Sequence, residues 1–281
     1  MPTVDLDGIA THYEVVGDGP ALLMFAPGGF NATADNWRRH GVYRGLNLVP
    51  RLSTEFRLVL FDRRESGRSG GRVQSLSWHD YAVQGKALLD HLGLPRAHLM
   101  GGCVGCSVAV EFAVRYPEAT DRLVLYSPAG GVRYRMLQHA RFAEHEVFVR
   151  GAGPRAVVDL VRAGRAGFSE DARVGPWAPV IRSDPAFAAA YAALDPQWYL
   201  LVLRGTARTL FDRDTVPGPE PEELMRVAAP ALVVPGEDTS HAPSAARYLQ
   251  ECLPAARHWD MRVAGQTEEA TIPVLLDFLR G

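Results

Sequence analysis

Five short runs that are apolar almost throughout set the strongest limit on how this chain can fold: Ala21–Ala26, Arg57–Phe61, Ala97–Met100, Arg122–Tyr126 and Ala231–Val234. A strand with one wet face alternates polar and apolar residues. A run without that alternation belongs to a strand covered on both sides. Between the runs lie segments with helical spacing. Ser77–Leu92 carries Tyr81, Val83, Ala87, Leu88, Leu89 and Leu92. Val104–Tyr116 sets small residues (Ser107, Ala109, Ala113) among valines (Val108, Val110, Val114). A hairpin opens the chain, with Thr3–Leu6 and Ile9–Val16 joined at Asp7-Gly8. A helix is expected around Asp35–Leu52, a last strand at His258–Val263 and a closing helix at Glu268–Arg280. Strands that alternate with helices predict an α/β fold, with a doubly wound, mostly parallel sheet of eight strands.

Residues 129–229 break that rhythm. They are rich in Arg, Ala, Phe and Tyr and read as several helices inserted as a lid, with 1–128 and 230–281 forming the core; Pro217–Pro221 reads as a linker back to it. At 281 residues the chain is long enough for one large core carrying such an insertion. The net charge of −2 is spread along the chain without a basic stripe, which argues against a nucleic-acid partner. No apolar run approaches the ~20 residues needed to cross a bilayer, and no signal peptide opens the chain. Three cysteines, Cys103, Cys106 and Cys252, are too few for a disulfide framework, so the expected compartment is the cytoplasm. Lys86 is the sole lysine, which reads as a GC-rich coding bias. Oligomeric state is left open, a homodimer included.

Leu99-Met100-Gly101-Gly102-Cys103-Val104-Gly105 carries the chemistry. Gly-x-nucleophile-x-Gly between a strand and a helix is the pattern of a nucleophile elbow. The nucleophile sits in a tight strand-to-helix turn, and the residues two before and two after it must be nearly bare for the turn to close. Gly101 and Gly105 meet that need. Cys-x-x-Cys spacing to Cys106 also occurs in redox motifs, but a small core residue behind the elbow is the plainer reading of Cys106.

With that motif the chain resembles the α/β-hydrolase family over nearly its whole length. Pro27-Gly28-Gly29-Phe30 stands where the family carries its oxyanion loop. Asp62-Arg63-Arg64-Glu65-Ser66-Gly67-Arg68-Ser69 is similar to the family's Asp-x-Arg-Gly-x-Gly-x-Ser loop, with Glu65, read as a surface residue, in place of glycine. Tyr116-Pro117 after the elbow helix and Gly236-Glu237-Asp238 after the acid-bearing strand also fit. The resemblance implies an oxyanion hole made by the Val104 N–H with Gly29 or Phe30, and implies no cofactor.

The chain departs from the family at three places. Cysteine replaces serine at 103. The acid position three residues after the strand-end glycine holds Thr239, with Asp238 one residue earlier. The histidine expected between the last strand and the last helix is missing, and Gly265-Gln266 stands there. Glutamine does not titrate usefully. Three readings follow. His241 supplies the base, oriented by Asp238; or Cys103 works without a histidine, with Gln266 as a hydrogen-bonding group; or the site is catalytically dead and binds a ligand. Gln266, Thr239 and Trp177 are candidates for supporting or substrate contacts.

His139, Glu144, His145 and Glu146 in the insertion lack the spacing of a helical metal site and read as a solvated face, so no metal is assigned. The expected function is cysteine-dependent hydrolysis of a small organic ester, lactone or thioester through an acyl-thioenzyme. The alternatives are a non-hydrolytic acyltransferase, lyase or cofactor-free cyclase, and a ligand-binding protein on a hydrolase frame.

Overall fold

A computed structural model describes residues 2–281. Eight strands form one sheet in the order β1-β2-β4-β3-β5-β6-β7-β8. They are β1 (Thr3–Leu6), β2 (Ile9–Val16), β3 (Ala21–Phe25), β4 (Arg57–Phe61), β5 (Ala97–Gly102), β6 (Thr120–Tyr126), β7 (Ala231–Val234) and β8 (Ala256–His258). β2 runs antiparallel to β1 and β4, and every other pair is parallel.

The apolar runs are apolar for the reason expected. Side chains alternate between two cores, one on each face of the sheet. Leu23, Phe25, Val59, Phe61, Leu99, Leu123, Leu125 and Val233 enter one core. Leu22, Met24, Leu58, Leu60, Met100, Val124, Leu232 and Val234 enter the other. Fully burying one such side chain is worth roughly 1.5–3 kcal/mol, so a polar residue on either face of these strands would be costly. The first core is covered by helices that will prove to be α3, α4 and α10, the second by α1, α2 and α11. Their ranges are α1 (Asn36–Arg39), α2 (Leu48–Leu52), α3 (Trp78–His91), α4 (Gly105–Arg115), α10 (Pro243–Cys252) and α11 (Glu268–Arg280). Ser77 begins α3 as a capping box: it accepts from the Asp80 N–H, and the Asp80 carboxylate accepts from the Ser77 N–H.

Two boundaries differ from the sequence reading. The helix expected over 35–52 is three short pieces, because Gly41 and Asn47 both take φ 49° and break the helical path. The last strand is earlier and shorter than His258–Val263. β7 offers only four residues; His258 pairs opposite Val233, the Trp259 N–H donates to the Val233 carbonyl, and Val263–Gly265 then coils into a 3-10 turn.

Between β6 and β7 lie α5 (Val132–Ala163, broken at Gly153-Pro154), α6 (Ala178–Ser183), α7 (Pro185–Ala192), α8 (Pro196–Leu210) and α9 (Pro221–Leu224). Their centre is Trp177, Tyr191 and Tyr199, packed with His145. His145 is fully buried, which corrects the reading of that stretch as a solvated face. Burial holds its imidazole down to about 4, and the neutral ring spans the Arg173 carbonyl (3.0 Å) and the Tyr199 hydroxyl (2.8 Å). Trp177 is likewise interior, and its Nε1 donates to the Arg72 carbonyl (2.8 Å), tying the insertion to the core. No helix is long and apolar enough to cross a membrane.

Candidate active site

The site is built at the carboxyl edge of the sheet, where β5 turns into α4. Cys103 takes φ 54°, a left-handed conformation that costs a side-chain-bearing residue on the order of 1–3 kcal/mol. The turn closes only because its neighbours are bare. A Cβ on Gly101 would come within 2.5 Å of the Gly105 carbonyl oxygen, and one on Gly105 within 2.0 Å of the Phe25 carbonyl oxygen. The Cys103 N–H donates to the Tyr126 carbonyl (3.1 Å), and its own carbonyl accepts from the Cys106 and Ala129 N–H groups (3.1 and 3.2 Å). The backbone of the elbow is therefore pinned on both sides. Cys106 lies behind it: the Sγ donates to the Gly101 carbonyl (3.2 Å), and burial pushes this thiol well up.

Cys103 opens into a cleft of about 600 Å³ whose walls include Tyr43, Ser127, Gly236, Asp238, His241 and Val263. The loop after β7 brings the next two candidates. Asp238 and His241 are three residues apart, and His241 Nδ1 lies 2.8 Å from both Asp238 oxygens. The same carboxylate accepts from the Ser240 and His241 N–H groups (2.8 and 3.0 Å), which shapes the loop as a tight turn. Gly236 makes room for it, since a Cβ there would meet the His241 Cβ at 2.4 Å. The Gly130 N–H donates to the Ser240 carbonyl (3.0 Å), fixing the loop against the chain that follows β6.

The electrostatics follow from this packing. Burial alone would push His241 down. The Cys103 sulfur, to which the imidazole couples, and the Asp238 carboxylate outweigh it and hold the ring up to about 9. Burial would likewise raise Asp238, but the His241 imidazole and the two backbone N–H groups hold it below the ordinary carboxylate range. Nδ1–H is committed to Asp238. Nε2 is buried without a well-formed hydrogen bond of its own, and faces the sulfur that couples to it. Pairs of this kind commonly tighten only around a reacting substrate.

The other candidates are spread more widely. Val104, Gly29 and Phe30 line one narrow cavity on the side of the elbow facing the helical insertion, next to the cleft that holds Cys103. The loop that carries Gly29 and Phe30 is clamped by the 62–69 segment. The Ala32 N–H donates to Ser66 Oγ (3.1 Å), the Ala34 N–H to Asp62 Oδ1 (2.9 Å), and Arg63 to the Gly29 carbonyl. Glu65 is buried, not a surface residue. It takes φ 62°, which is why a glycine suits this position, and its carboxylate is held by Arg64 Nε (2.9 Å).

Gln266 is buried and fully used. Its Nε2 donates to the Pro235 and Met261 carbonyls (2.9 Å each), and its Oε1 accepts from the Tyr126 hydroxyl (2.9 Å). Thr239 is exposed and lines a separate depression with Gly131 and Ala242. Trp177 stays in the interior of the insertion. His258 is buried beside the chain's Asp260, with Nδ1 4.0 Å from that carboxylate. Sequence reasoning missed Tyr43, which lines the cleft and donates to the Tyr126 carbonyl (3.0 Å); it comes from a coil distant in sequence, and no spacing marks it.

Comparison with known proteins agrees with this geometry. Residues 21–155 match the family model described as alpha/beta hydrolase fold. An enol-lactonase from Burkholderia xenovorans LB400 superposes over 100% of both chains with TM-score 0.65 at 22% identity. The chain has the alpha/beta-hydrolase fold. A meta-cleavage product hydrolase from Pseudomonas fluorescens IP01 shares the fold over 100% of this chain and 97% of its own, with TM-score 0.61 and 18% identity. In sequence, a 2-hydroxy-6-oxo-6-phenylhexa-2,4-dienoate hydrolase from Comamonas testosteroni is 34% identical over 129 residues. That match spans 45% of this chain and 42% of the relative, so less than half of the relative's length is represented. Within this alpha/beta-hydrolase fold the elbow is in its expected place, while the acid and the histidine that face it share one loop.

Proposed function

We propose that the chain is a cysteine-dependent hydrolase of small carbonyl compounds, an ester, lactone or thioester. The reading is carried by one observation: the elbow residue Cys103 opens into the cleft that holds the His241–Asp238 pair, with the imidazole coupled to the sulfur.

An imidazolium beside a thiol favours the thiolate, the form that attacks. The Cys103 sulfur adds to the substrate carbonyl carbon, and the carbonyl electron pair moves to oxygen. The N–H groups of Val104 and of Gly29 or Phe30 are the candidate donors to that oxyanion. As it collapses, the bond to the leaving group breaks and the leaving atom takes the proton from His241 Nε2. Water then adds to the thioester while His241 takes its proton. Collapse of the second tetrahedral adduct expels the thiolate and releases the acid. Asp238 keeps the imidazole in the tautomer and orientation that present Nε2. The helices between β6 and β7 act as a lid over the acyl side. The names of the relatives support a hydrolytic reading, since they describe hydrolases of a dienoate and of an enol-lactone.

The test is intact-mass spectrometry of the protein quenched during turnover of a panel of aryl esters and thioesters. An acyl adduct on Cys103 that decays in water, and is absent from Cys103→Ala, is expected. An adduct that persists until an amine or alcohol acceptor is added would replace hydrolysis with acyl transfer. Turnover that survives Cys103→Ala would overturn the reading.

A further inference from the structure

We propose that the narrow cavity beside the elbow is an anion subsite that receives a carboxylate carried on the acyl portion of the substrate. This rests on the hydrolytic reading for where the acyl group lies, but the subsite itself stands on its own chemistry.

Three side chains that line the cavity present buried donors with no hydrogen-bond partner: Arg63 Nε, Trp78 Nε1 and Tyr81 Oη. Arg63 is 7% exposed, Trp78 5% and Tyr81 1%, so water does not reach these groups from outside. Buried polar groups are nearly always paired, and one left unpaired is a standing cost to the fold. Three on one cavity, all able to donate, describe a space shaped for an acceptor-rich group. Burial raises the Tyr81 phenol, so it stays protonated and able to donate.

The charge balance points the same way. Arg64 is paired with Glu65 at 2.9 Å and approaches Asp80 at 3.8 Å. Glu65 also accepts from the Arg72 N–H (3.2 Å), and Asp80 from the Ser77 N–H (2.7 Å) and Gln74 (3.1 Å). The carboxylates near this cavity are thus already engaged. Arg63 forms no ion pair among the described residues. It gives one nitrogen to the Gly29 carbonyl and stacks its guanidinium over the Tyr81 ring at 4.0 Å, which aligns the fork while leaving Nε–H unspent.

Position completes the inference. Val104, Gly29 and Phe30 line the same cavity, so an anion here lies on the side of the scissile carbonyl where its oxygen would be stabilised. The space holds roughly one water molecule, so a carboxylate enters with a shift of Gln138 or Phe211 on the opposite wall. The substrate class is then an acyl donor with a carboxylate a few bonds from its reacting carbonyl, such as the monoester or monothioester of a short dicarboxylic acid.

Calorimetric titration of the full-length protein with glutarate, and separately with glutaramide, tests the subsite without requiring turnover. Saturable binding of glutarate but not of the diamide is expected, weakened about tenfold or more in Arg63→Met and to a lesser degree in Tyr81→Phe and Trp78→Phe. If Arg63→Met fails to fold by circular dichroism, the two aromatic variants carry the test. Absence of saturable glutarate binding, equal binding of the diamide, or binding unchanged in the folded variants would overturn the proposal. Glutarate binding that follows Arg63 in a protein whose Cys103 never acylates would leave the subsite standing and remove the hydrolytic reading instead. In turnover, the S-phenyl monothioester of glutarate is expected to exceed S-phenyl thiovalerate in kcat/KM by about tenfold, a preference lost in Arg63→Met.

Discussion

Two neighbouring connections at the same sheet edge divide the work that the alpha/beta-hydrolase resemblance would give to both. The loop after β7 carries an ionised pair, Asp238 with His241, and leaves an imidazole nitrogen facing Cys103. The connection between β8 and α11 holds Gln266, whose amide is spent on two carbonyls and a phenol. One loop can move a proton, and the other can only hold its neighbours. Acid and base have been gathered three residues apart on one turn, and the place where a histidine was expected has become a structural brace.

The sharpest way to break this comparison is to remove the sulfur that the first loop serves. Cys103→Ala is expected to lower hydrolysis by about 10⁴-fold or more in an initial-rate assay, with the circular dichroism spectrum unchanged. It should also release His241. The ring is held up to about 9 partly by the sulfur, so losing that negative partner lowers its titration point toward the ordinary 6.5. NMR titration of the ring protons would show this, and a His241 that titrates identically in both proteins would mean that the two groups do not couple.

His241→Ala should come next, with a loss of roughly 10²–10⁴-fold, the range of a general acid–base group. Its specific signature is slower alkylation of Cys103 by iodoacetamide at neutral pH. Alkylation at the parent rate would leave Cys103 without this partner and return the site to the non-hydrolytic or binding readings. Asp238→Asn should cost less, about tenfold, because its side chain is 67% exposed and its charge is screened by solvent and salt. The difference from the parent should narrow as ionic strength rises.

Much of this division was legible in the sequence, though unevenly. The sheet could be read because its strands must be apolar on both faces, and the elbow because only bare residues fit at 101 and 105. The pairing of Asp238 with His241 was visible as a short loop at the correct edge. Other features had no local signal. Glu65 looked like a surface acid because nothing in its neighbours declares a left-handed buried turn. His145 looked solvated because its partners, Arg173 and Tyr199, come from elsewhere in the insertion. The donors Arg63, Trp78 and Tyr81 belong to three unrelated-looking positions, and only the fold brings them to one cavity.

Gln266→Leu sharpens the comparison from the other side, with the smallest expected effect on chemistry. Leucine fills a similar volume but makes none of the three hydrogen bonds. The Tyr126 hydroxyl and the Pro235 and Met261 carbonyls would then be left without their partner in a buried place. An unsatisfied buried group costs roughly 1–3 kcal/mol, and some of that loss can be recovered as the carbonyls tilt toward solvent. A drop of about 2 kcal/mol in unfolding free energy, read from the denaturant midpoint, is therefore expected. The alkylation rate of Cys103 and kcat should stay within about twofold of the parent, because no proton moves through this amide. A large fall in kcat with the stability untouched would place Gln266 in the chemistry and undo the contrast between the two loops. A fall in stability alone would leave His241 as the group at this edge that titrates beside the sulfur.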